Sequence, residues 1–531
     1  MVRRPLPPDL TAGAIALAFA LICTSFAWQP ELASFADDSA SYLVMAQVFS
    51  PWQLVPQPIA EAYVREAFYP PLFPALLALA GAGNDIGRAH AVSALLLACA
   101  LPVAYVVGVR WLHDRRAALA VVVTTALLPS LWIHVKGILS EPLFCFLFLA
   151  ILALLETEKR SAVLLALAMA ALSLTRTVGL IVLAAYAAHA LMHSGMGLRQ
   201  RAQRAWPALA GIAAYAVWVL VRPAEAADVN VRFMAERGQA IFASPSMLAA
   251  LGASMVRQAN ALGEAWIGAL MVFWVPGRVV PLVIASGLGM LSLAGLLARL
   301  RARSVDAWMT AAYLLTFLLW PFHDQMTRFL FPVLPVLVLY GFWAIAGALR
   351  RSARPVAAAS LVLSVVFASL SVPALAFIYQ RARSPEPYAR MTDWYRTPDL
   401  DQARSRAQVH LGLLADMHAI GRLTQPQDHV MWVAPSYIAL LANRHGVPAP
   451  EAELPPERYR AVVGEKRPDY VFLSLYHPRD TLSDRAWQTG IAAMTGSGTA
   501  VHVNTRPDGV VSSVLLKLKA DELVALGAAG H

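Results

Sequence analysis

The sequence predicts an all-α polytopic membrane protein of about eleven transmembrane helices, followed by a C-terminal α/β domain. Of the 531 residues, 58% are hydrophobic and only 14% are charged, whereas a water-soluble domain carries about 25% charged residues. Apolar stretches of roughly twenty residues, the length that spans a bilayer, recur between residues 10 and 379. From residue 380 onward no such stretch occurs. These observations exclude a water-soluble enzyme and a disordered chain.

The predicted spans are the longest apolar stretches between charged segments. They are 10–29, 89–109, 117–135, 142–155, 161–175, 177–192, 206–222, 279–298, 307–322, 329–348 and 356–379. The spans 161–175 and 177–192 are short for a bilayer of about 30 Å. Two further apolar patches, 71–82 and 266–276, are too short to span and predict re-entrant or interfacial helices.

Clusters of basic residues predict how the chain is oriented in the membrane. They lie at 3–4, 110–116, 156–160, 199–204, 299–303 and 350–354. Lys and Arg accumulate on the cytoplasmic side of membrane proteins, so we place all six clusters and the N-terminus there. The loop 30–70 then lies on the outer side, with five acidic residues against one arginine. No basic stripe interleaved with aromatic residues occurs, so the net charge of +10 does not indicate nucleic-acid binding.

The segment 380–531 has a different composition and predicts a soluble domain on the outer face, after a transmembrane domain over 1–379. It holds 17 Lys and Arg against 16 Asp and Glu. Strands are predicted at 429–433, 470–475 and 510–517, with a helix at 436–443. Strands that alternate with helices indicate a small α/β domain.

Two adjacent carboxylates, Asp37 and Asp38, follow the first span. At the membrane surface they are candidates for a general base or for ligands of a divalent metal cation, with Glu141 as a third ligand. The alternative is structural, because Asp38 also stands where a residue would cap the helix that begins near Tyr42.

Two further motifs fall on the predicted outer side. The segment Tyr69, Pro70, Pro71 sets a bend at a helix mouth, and with Tyr42 it is predicted to line a substrate cavity. Glu141 lies between Ser140 and Pro142, which is a second candidate acid but also an ordinary helix-start pattern.

Two arginines and a polar turn complete the candidate residues. Arg176 interrupts an apolar region of about thirty residues, where an ionisable side chain indicates a functional site with a partner. Arg328 has the planar donors that bind phosphate, although a salt bridge to Asp324 would explain it equally. His323 and Asp324 are predicted to line the cavity.

Taken together, these residues combine carboxylates with two arginines on one face. That combination suits attack by a hydroxyl, which needs a base, on a carbon whose leaving group is a lipid phosphate, which needs charge stabilisation.

The chain resembles the GT-C class of integral-membrane glycosyltransferases, in particular the bacterial branch related to protein O-mannosyltransferases and the lipid A aminoarabinose transferase. The matching segments, in family order, are Asp38-Ser39-Ala40-Ser41-Tyr42 with Ala46, Tyr69-Pro70-Pro71-Leu72, Ser140-Glu141-Pro142-Leu143-Phe144, Thr175-Arg176 with Gly179-Leu180, and Arg328-Phe329-Leu330-Phe331-Pro332-Val333-Leu334-Pro335. The tail resembles the extracytoplasmic C-terminal domains that some members carry.

The resemblance implies transfer of a hexosyl or pentosyl group, with inversion, from a polyprenyl-phosphate donor to a glycolipid, glycan or protein acceptor. The reaction would take place on the outer face of the cytoplasmic (inner) membrane. Asp38 would be the base, because its spacing to Tyr42 matches the family, although Asp37 is adjacent. Glu141 would support the site, and Arg176 and Arg328 would hold the donor phosphate. Some relatives use a divalent metal.

Two other classes of function are weighed against this one. A transporter or flippase of a lipid-linked glycan would usually place ionisable groups near the bilayer midplane and often has repeated halves. The sequence has no internal repeat, and its unusual charges gather on one predicted face. A scaffold whose tail binds a partner would need no acidic pair at the membrane.

Overall fold

The computed structural model describes residues 7–35, 38–157, 161–192, 195–225, 235, 238–239, 242–244, 246–273, 278–320, 325–350, 355–477 and 482–519. Three predicted site residues, Asp37, His323 and Asp324, lie outside this part of the chain. So do portions of the basic clusters at 156–160 and 350–354 and of the outer region 223–278.

The first 382 residues are helical wherever a regular element is described. The α-helices are Pro8–Ala27, Ser39–Phe49, Gln57–Glu66, Leu72–Leu79, Ile86–Leu112, Arg115–Ala126, Pro129–His134, Glu141–Leu155, Ala162–Ser173, Gly179–Leu191, Leu198–Val221, Met247–Met271, Val279–Arg301, Val305–Leu318, Met326–Leu330, Leu334–Arg350 and Val356–Ala382. A 3₁₀ turn, Phe331–Val333, joins Met326–Leu330 to Leu334–Arg350.

Six stretches of helix are long and apolar enough to cross a bilayer. Among the described residues these are Pro8–Ala27, Ile86–Leu112, Leu198–Val221, Val279–Arg301, Met326–Leu349 and Val356–Ala382. The other apolar helices are shorter, including Ala162–Ser173 and Gly179–Leu191, which agrees with the short spans predicted there. The chain is therefore a multi-pass membrane protein, and the count of eleven spans stays a prediction.

Two predicted elements differ from the structure. The span 117–135 is two helices, Arg115–Ala126 and Pro129–His134. Pro129 has no backbone N–H to donate to a preceding turn, so the second helix begins at this proline. The patch 266–276 is mostly the end of a 25-residue helix, Met247–Met271, rather than a separate short one.

Close helix packing in the membrane part depends on small residues. A Cβ atom at Gly295 would lie 2.2 Å from the backbone oxygen of Tyr340. The helices Val279–Arg301 and Leu334–Arg350 therefore approach closely only because position 295 has no side chain, as is common between membrane helices.

The tail forms a mixed five-stranded sheet with helices. The strands are β1 (His429–Trp432), β2 (His445–Pro448), β3 (Tyr470–Ser474), β4 (Gly498–Thr505) and β5 (Val511–Leu518), in the spatial order β2-β1-β3-β5-β4. β1 pairs in parallel with β2 and β3, whereas β5 pairs antiparallel with β3 and β4. The tail's helices and turns are Pro387–Arg390, Thr392–Tyr395, Leu400–Leu423, Pro435–Tyr437, Ile438–Ala442, Pro456–Lys466 and Ser483–Met494.

The fold class predicted from the sequence is confirmed, and so are the strands predicted at 429–433, 470–475 and 510–517. The edge strands β2 and β4 were not predicted. β2 reads His-Gly-Val-Pro, and glycine and proline are depleted in strands. β4 is largely exposed, and its apolar alternation is confined to Val501 and Val503, which is too short to indicate a half-buried strand.

The tail packs directly against the loop that leads to Asp38. The ring of Phe35 stacks on Tyr437 with centroids 4.6 Å apart and lies near the ring of His410 at 6.0 Å. Its backbone N–H donates to His410 Nδ1 over 2.9 Å, and its carbonyl accepts from the Tyr476 hydroxyl. A second contact joins the tail to the helix Gln57–Glu66, where His445 Nδ1 lies 2.6 Å from Glu61 Oε2. The tail therefore fixes the position of Phe35, three residues before Asp38.

Candidate active site

Asp38 is held by two partners from distant parts of the chain. It stands directly before the helix Ser39–Phe49, but its side chain makes no capping hydrogen bond to that helix. Instead the Tyr69 hydroxyl donates to Asp38 Oδ1 over 2.8 Å, and Arg328 Nη2 donates to Asp38 Oδ2. Both carboxylate oxygens are bound by these partners. The prediction that the Asp38 side chain caps the helix is therefore wrong.

Glu141 is the centre of the charged cluster. It is the first residue of the helix Glu141–Leu155, and its side chain is fully buried. Arg176 Nη1 lies 2.6 Å from Glu141 Oε1, and Arg328 Nε donates to the same oxygen. Ser140 does not cap the helix either, because its hydroxyl bonds the Tyr42 hydroxyl over 2.8 Å and accepts from Arg176 over 3.1 Å.

The structure therefore brings four of the predicted residues into one network: Asp38 and Glu141 with Arg176 and Arg328. The two carboxylates balance the two guanidinium groups, and Arg328 contacts both acids. Buried charges are tolerated only when they are paired and hydrogen-bonded. This arrangement pairs all four charges, while Oε2 of Glu141 has no hydrogen-bond partner among the described residues. We call these four residues the charged cluster.

The Tyr-Pro-Pro segment supports the cluster from one side. The rings of Tyr42 and Tyr69 meet edge to face with centroids 5.2 Å apart. Pro71 precedes the helix Leu72–Leu79, whose first N–H donates to the backbone oxygen of Leu174 over 2.9 Å. That contact joins the segment to the turn that carries Arg176.

A cavity of about 270 Å³ is lined in part by Arg328, which also contacts Asp38. Its lining residues come from the helical part of the chain and from the tail: Ser34, Ser130, Ile133, His134, Gly137, Leu139, Gly268, Val272, Gln325, Thr327, Arg328, Thr392 and Arg396. Of the predicted lining residues that the structure describes, Tyr42, Tyr69, Pro70 and Pro71 are not among them. Tyr69 contacts the charged cluster directly through Asp38, and Tyr42 is linked to it through the Ser140 hydroxyl.

Arg396, which the sequence did not single out, reaches this cavity from the tail. Its Nη1 lies 3.3 Å from Asp393 Oδ1, and nearly half of its side chain is exposed. Asp393 also contacts His410 Nε2 at 3.0 Å. Burial raises the pKa of the Asp393 carboxyl, but the hydrogen bond with His410 and the charge of Arg396 outweigh it, so this pKa lies below its usual value. Asp393 is thus shared between Arg396 and His410, so Arg396 has further N–H donors available at the cavity that it lines.

The carboxylates of the charged cluster do not fit a shared metal ion. A cation bridging Asp38 and Glu141 would have to lie where the guanidinium of Arg328 contacts both of them. In the described part of the chain, no group of three or more His, Cys, Asp and Glu side chains is placed to hold a metal. Asp37 lies outside that part, so a metal ligand role for it stays a prediction.

Comparison with known proteins gives structural similarity without close sequence similarity. No protein-family model and no curated protein matches the sequence. ArnT from Cupriavidus metallidurans bound to undecaprenyl phosphate is similar with a TM-score of 0.52 and 13% identity, over 95% of this chain and 97% of that chain. The same protein in the apo state gives 0.50 and 14%, over 97% and 98%.

A third solved structure matches at lower similarity. The archaeal oligosaccharyltransferase AglB from Archaeoglobus fulgidus, in complex with an inhibitory peptide and a dolichol-phosphate, has a TM-score of 0.47 and 14% identity, over 98% of this chain and 77% of that chain. At such identities a structural match establishes the fold and not the function. ArnT, a lipid A aminoarabinose transferase, belongs to the GT-C superfamily and matches this chain over nearly its whole length. The chain is a multi-pass membrane protein whose fold is similar to that of ArnT, with a C-terminal α/β domain.

Proposed function

We propose that the protein is a glycosyltransferase that moves a sugar from a polyprenyl-phosphate donor to an acceptor hydroxyl, with inversion at the anomeric carbon. The observation that carries this proposal is the position of Asp38, whose carboxylate is bound by Arg328 beside a cavity that the same arginine lines. This arrangement supports a base next to a site for an anionic leaving group. The similar fold of an ArnT bound to undecaprenyl phosphate supports a lipid-phosphate donor.

In the proposed reaction the acceptor oxygen attacks the anomeric carbon from the side opposite the phosphate. The bond from carbon to acceptor oxygen forms, the bond from carbon to phosphate oxygen breaks, and the acceptor proton moves to Asp38. Tyr69 donates to Oδ1 of Asp38 over 2.8 Å, so it orients the carboxylate. Attack from the opposite face gives inversion.

Arg328 couples the two halves of this reaction. While Asp38 is ionised, the guanidinium of Arg328 is divided between Asp38 and Glu141. When Asp38 takes the proton it loses its charge, and Arg328 is then released toward the polyprenyl phosphate that leaves. A cation beside a developing phosphate charge is the main electrostatic requirement of such a step. Arg176, held by Glu141, keeps that acid in place.

The proposed location is the outer face of the cytoplasmic (inner) membrane, with the N-terminus cytoplasmic and the tail outside. The support is the distribution of Lys and Arg. In the predicted topology most of those outside the tail lie in short loops on the side of the membrane opposite the charged cluster. Polyprenyl carriers would enter the cavity from the lipid, and a glycolipid, glycan or protein acceptor would enter beside the tail.

The function can be tested on cells with and without the gene. Mass spectrometry of their envelope glycolipids, polysaccharides and glycoproteins should reveal one sugar that is present only when the gene is intact, together with the acceptor that carries it. Lipid-linked sugar should accumulate in the mutant, because its consumption is blocked. Envelopes of identical composition in the two strains would refute the proposal.

Arg396 offers a prediction about the donor. We expect Arg396→Gln to raise the donor KM about tenfold while kcat changes less than about threefold, because one charged hydrogen bond to phosphate is lost. Kinetics of the purified full chain with its lipid-linked donor measure this. Arg422→Gln, an exposed change on the tail helix Leu400–Leu423, should alter neither constant. An unchanged donor KM in Arg396→Gln would exclude Arg396 from phosphate binding.

A further inference from the structure

The tail contains a second cavity, of about 260 Å³, which we call the tail cavity. Its walls are the helix Leu400–Leu423, the ends of the sheet and the turn Pro387–Arg390, and the side chains that matter here are those of Tyr388, Gln408, Tyr476, Asn504 and Ser512, with Gly412 in the helix wall. It shares no lining residue with the cavity beside Arg328. Nothing in the proposed reaction uses it.

One wall of the tail cavity is fixed by a buried acid. Asp416 is almost fully buried, and its carboxylate accepts from His502 Nε2 over 2.9 Å, from Asn504 Nδ2 over 3.0 Å and from Ser513 Oγ over 2.6 Å. Such a carboxylate needs several donors to be tolerated. Asn504 Nδ2 also donates to the backbone oxygen of Gly412 over 3.4 Å. Its amide nitrogen is thus engaged within the protein.

The lining selects for a neutral ligand. Of the described residues that line the tail cavity, the two that carry charge are both engaged, Asp416 as above and Arg506 by Asp508. The rest of the lining combines amide and hydroxyl groups and two tyrosine rings with the apolar side chains of Pro387, Val409, Leu411, Leu413, Ala415 and Leu475. Hydroxyl groups both donate and accept, and tyrosine combines an apolar face with a polar end. A sugar ring, which has hydroxyls at its edge and C–H groups on its face, matches this mixture of polar and apolar lining.

The tail cavity is also connected to the candidate active site. Tyr476 forms part of its wall, and the Tyr476 hydroxyl donates to the backbone oxygen of Phe35. Asp38 follows Phe35 by three residues in the sequence. An occupant of the tail cavity would therefore lie against the support of the loop that carries the proposed base.

From this lining and this connection we propose that the tail cavity binds a neutral saccharide unit of the acceptor, remote from the hydroxyl that receives the transferred sugar. That the saccharide belongs to the acceptor rests on the proposed function, but binding of a saccharide at this position does not. The tail would thereby contribute to acceptor choice.

The test is saturation-transfer NMR on the full chain purified in detergent, with D-glucose, D-galactose, D-mannose and N-acetyl-D-glucosamine as probes. At least one sugar should receive saturation from the wild-type chain, and Gly412→Leu should reduce that signal at least about fivefold. A Cβ at Gly412 meets only Asn504 Nδ2, at 3.5 Å, so the new side chain is accommodated at its base and fills the cavity with its remaining atoms. Gln408→Ala, which removes a lining amide without adding volume, should weaken the signal as well.

Two controls separate this proposal from the proposed function. Ser405→Leu places the same side chain on an exposed position of the same helix and should leave the signal unchanged. Asp38→Asn should retain sugar binding in the tail while it loses transfer. The proposal would be overturned if none of the four sugars received saturation from the wild-type chain. It would also be overturned if Gly412→Leu and Gln408→Ala both gave the same saturation as the wild-type chain.

Discussion

Sugar transfer should fall at least about a thousandfold in Asp38→Asn, whereas insertion and folding should be retained. Removal of a general base costs roughly 10²- to 10⁴-fold in rate, and here the lost carboxylate also positions Arg328. Asn has nearly the same shape as Asp, so its amide oxygen keeps the hydrogen bond from Tyr69, and Arg328 keeps Glu141 as its partner. The measurement is the amount of modified acceptor in envelopes, by mass spectrometry, at matched protein levels.

A matched control for this variant is Asp85→Asn. Asp85 is partly exposed and caps the helix Ile86–Leu112 by accepting from the backbone N–H of Arg88 over 2.9 Å. Asn caps helices as well as Asp does, so transfer should be unaffected. If Asp38→Asn transferred sugar at the wild-type rate, Asp38 would not be the base, and the role would pass to Asp37 or to another group.

Glu141→Gln should remove both stability and activity. Glu141 is fully buried and meets two guanidinium groups, so its neutralisation leaves two buried cations with Asp38 as their remaining acid in the charged cluster. Breaking a buried ion pair by removing one partner costs about 3–5 kcal/mol. We expect a clearly lower midpoint of thermal unfolding, followed by tryptophan fluorescence in detergent, and no measurable transfer.

A second substitution distinguishes structural from chemical loss. In the double variant Glu141→Gln with Arg176→Gln, one cation is removed with the acid, so most of the unfolding midpoint should be recovered. Transfer should stay low, because Arg328 no longer has a buried acid to hold it beside Asp38. Recovery of full activity in the double variant, or a stable and active Glu141→Gln, would show that the charged cluster is not the catalytic arrangement.

The charged cluster illustrates how much of the site the sequence can predict. Its four members stand out individually because an ionisable side chain at the edge of an apolar stretch is costly without a partner. The resemblance to the GT-C family then groups them. What the sequence left open was whether Asp38 caps a helix or serves the site, since the residue types at a helix start are the same in both cases. In the structure the Asp38 side chain makes no capping hydrogen bond and contacts Arg328, which is 290 residues away and which no local pattern could indicate.

Arg396 shows where prediction from the sequence stops. It lies in a polar segment among many other arginines, and no local pattern separates it from residues on a solvated surface. The tail fold brings it to the cavity, through the short turn Thr392–Tyr395, in which Trp394 and Tyr395 are buried. The break at Pro129 was missed for a related reason. A continuous apolar run satisfies the criterion for one span even when a proline divides it.

The seating of Phe35 among the tail's aromatic rings has a consequence for protein engineering. A chimera that exchanges C-terminal domains between proteins of this fold would separate Phe35 from the rings of His410 and Tyr437 unless both sides of the contact were transplanted together. The natural cut is therefore not at residue 380. A workable chimera would transfer Phe35 and Glu61, with their neighbouring residues, together with the C-terminal domain that they contact.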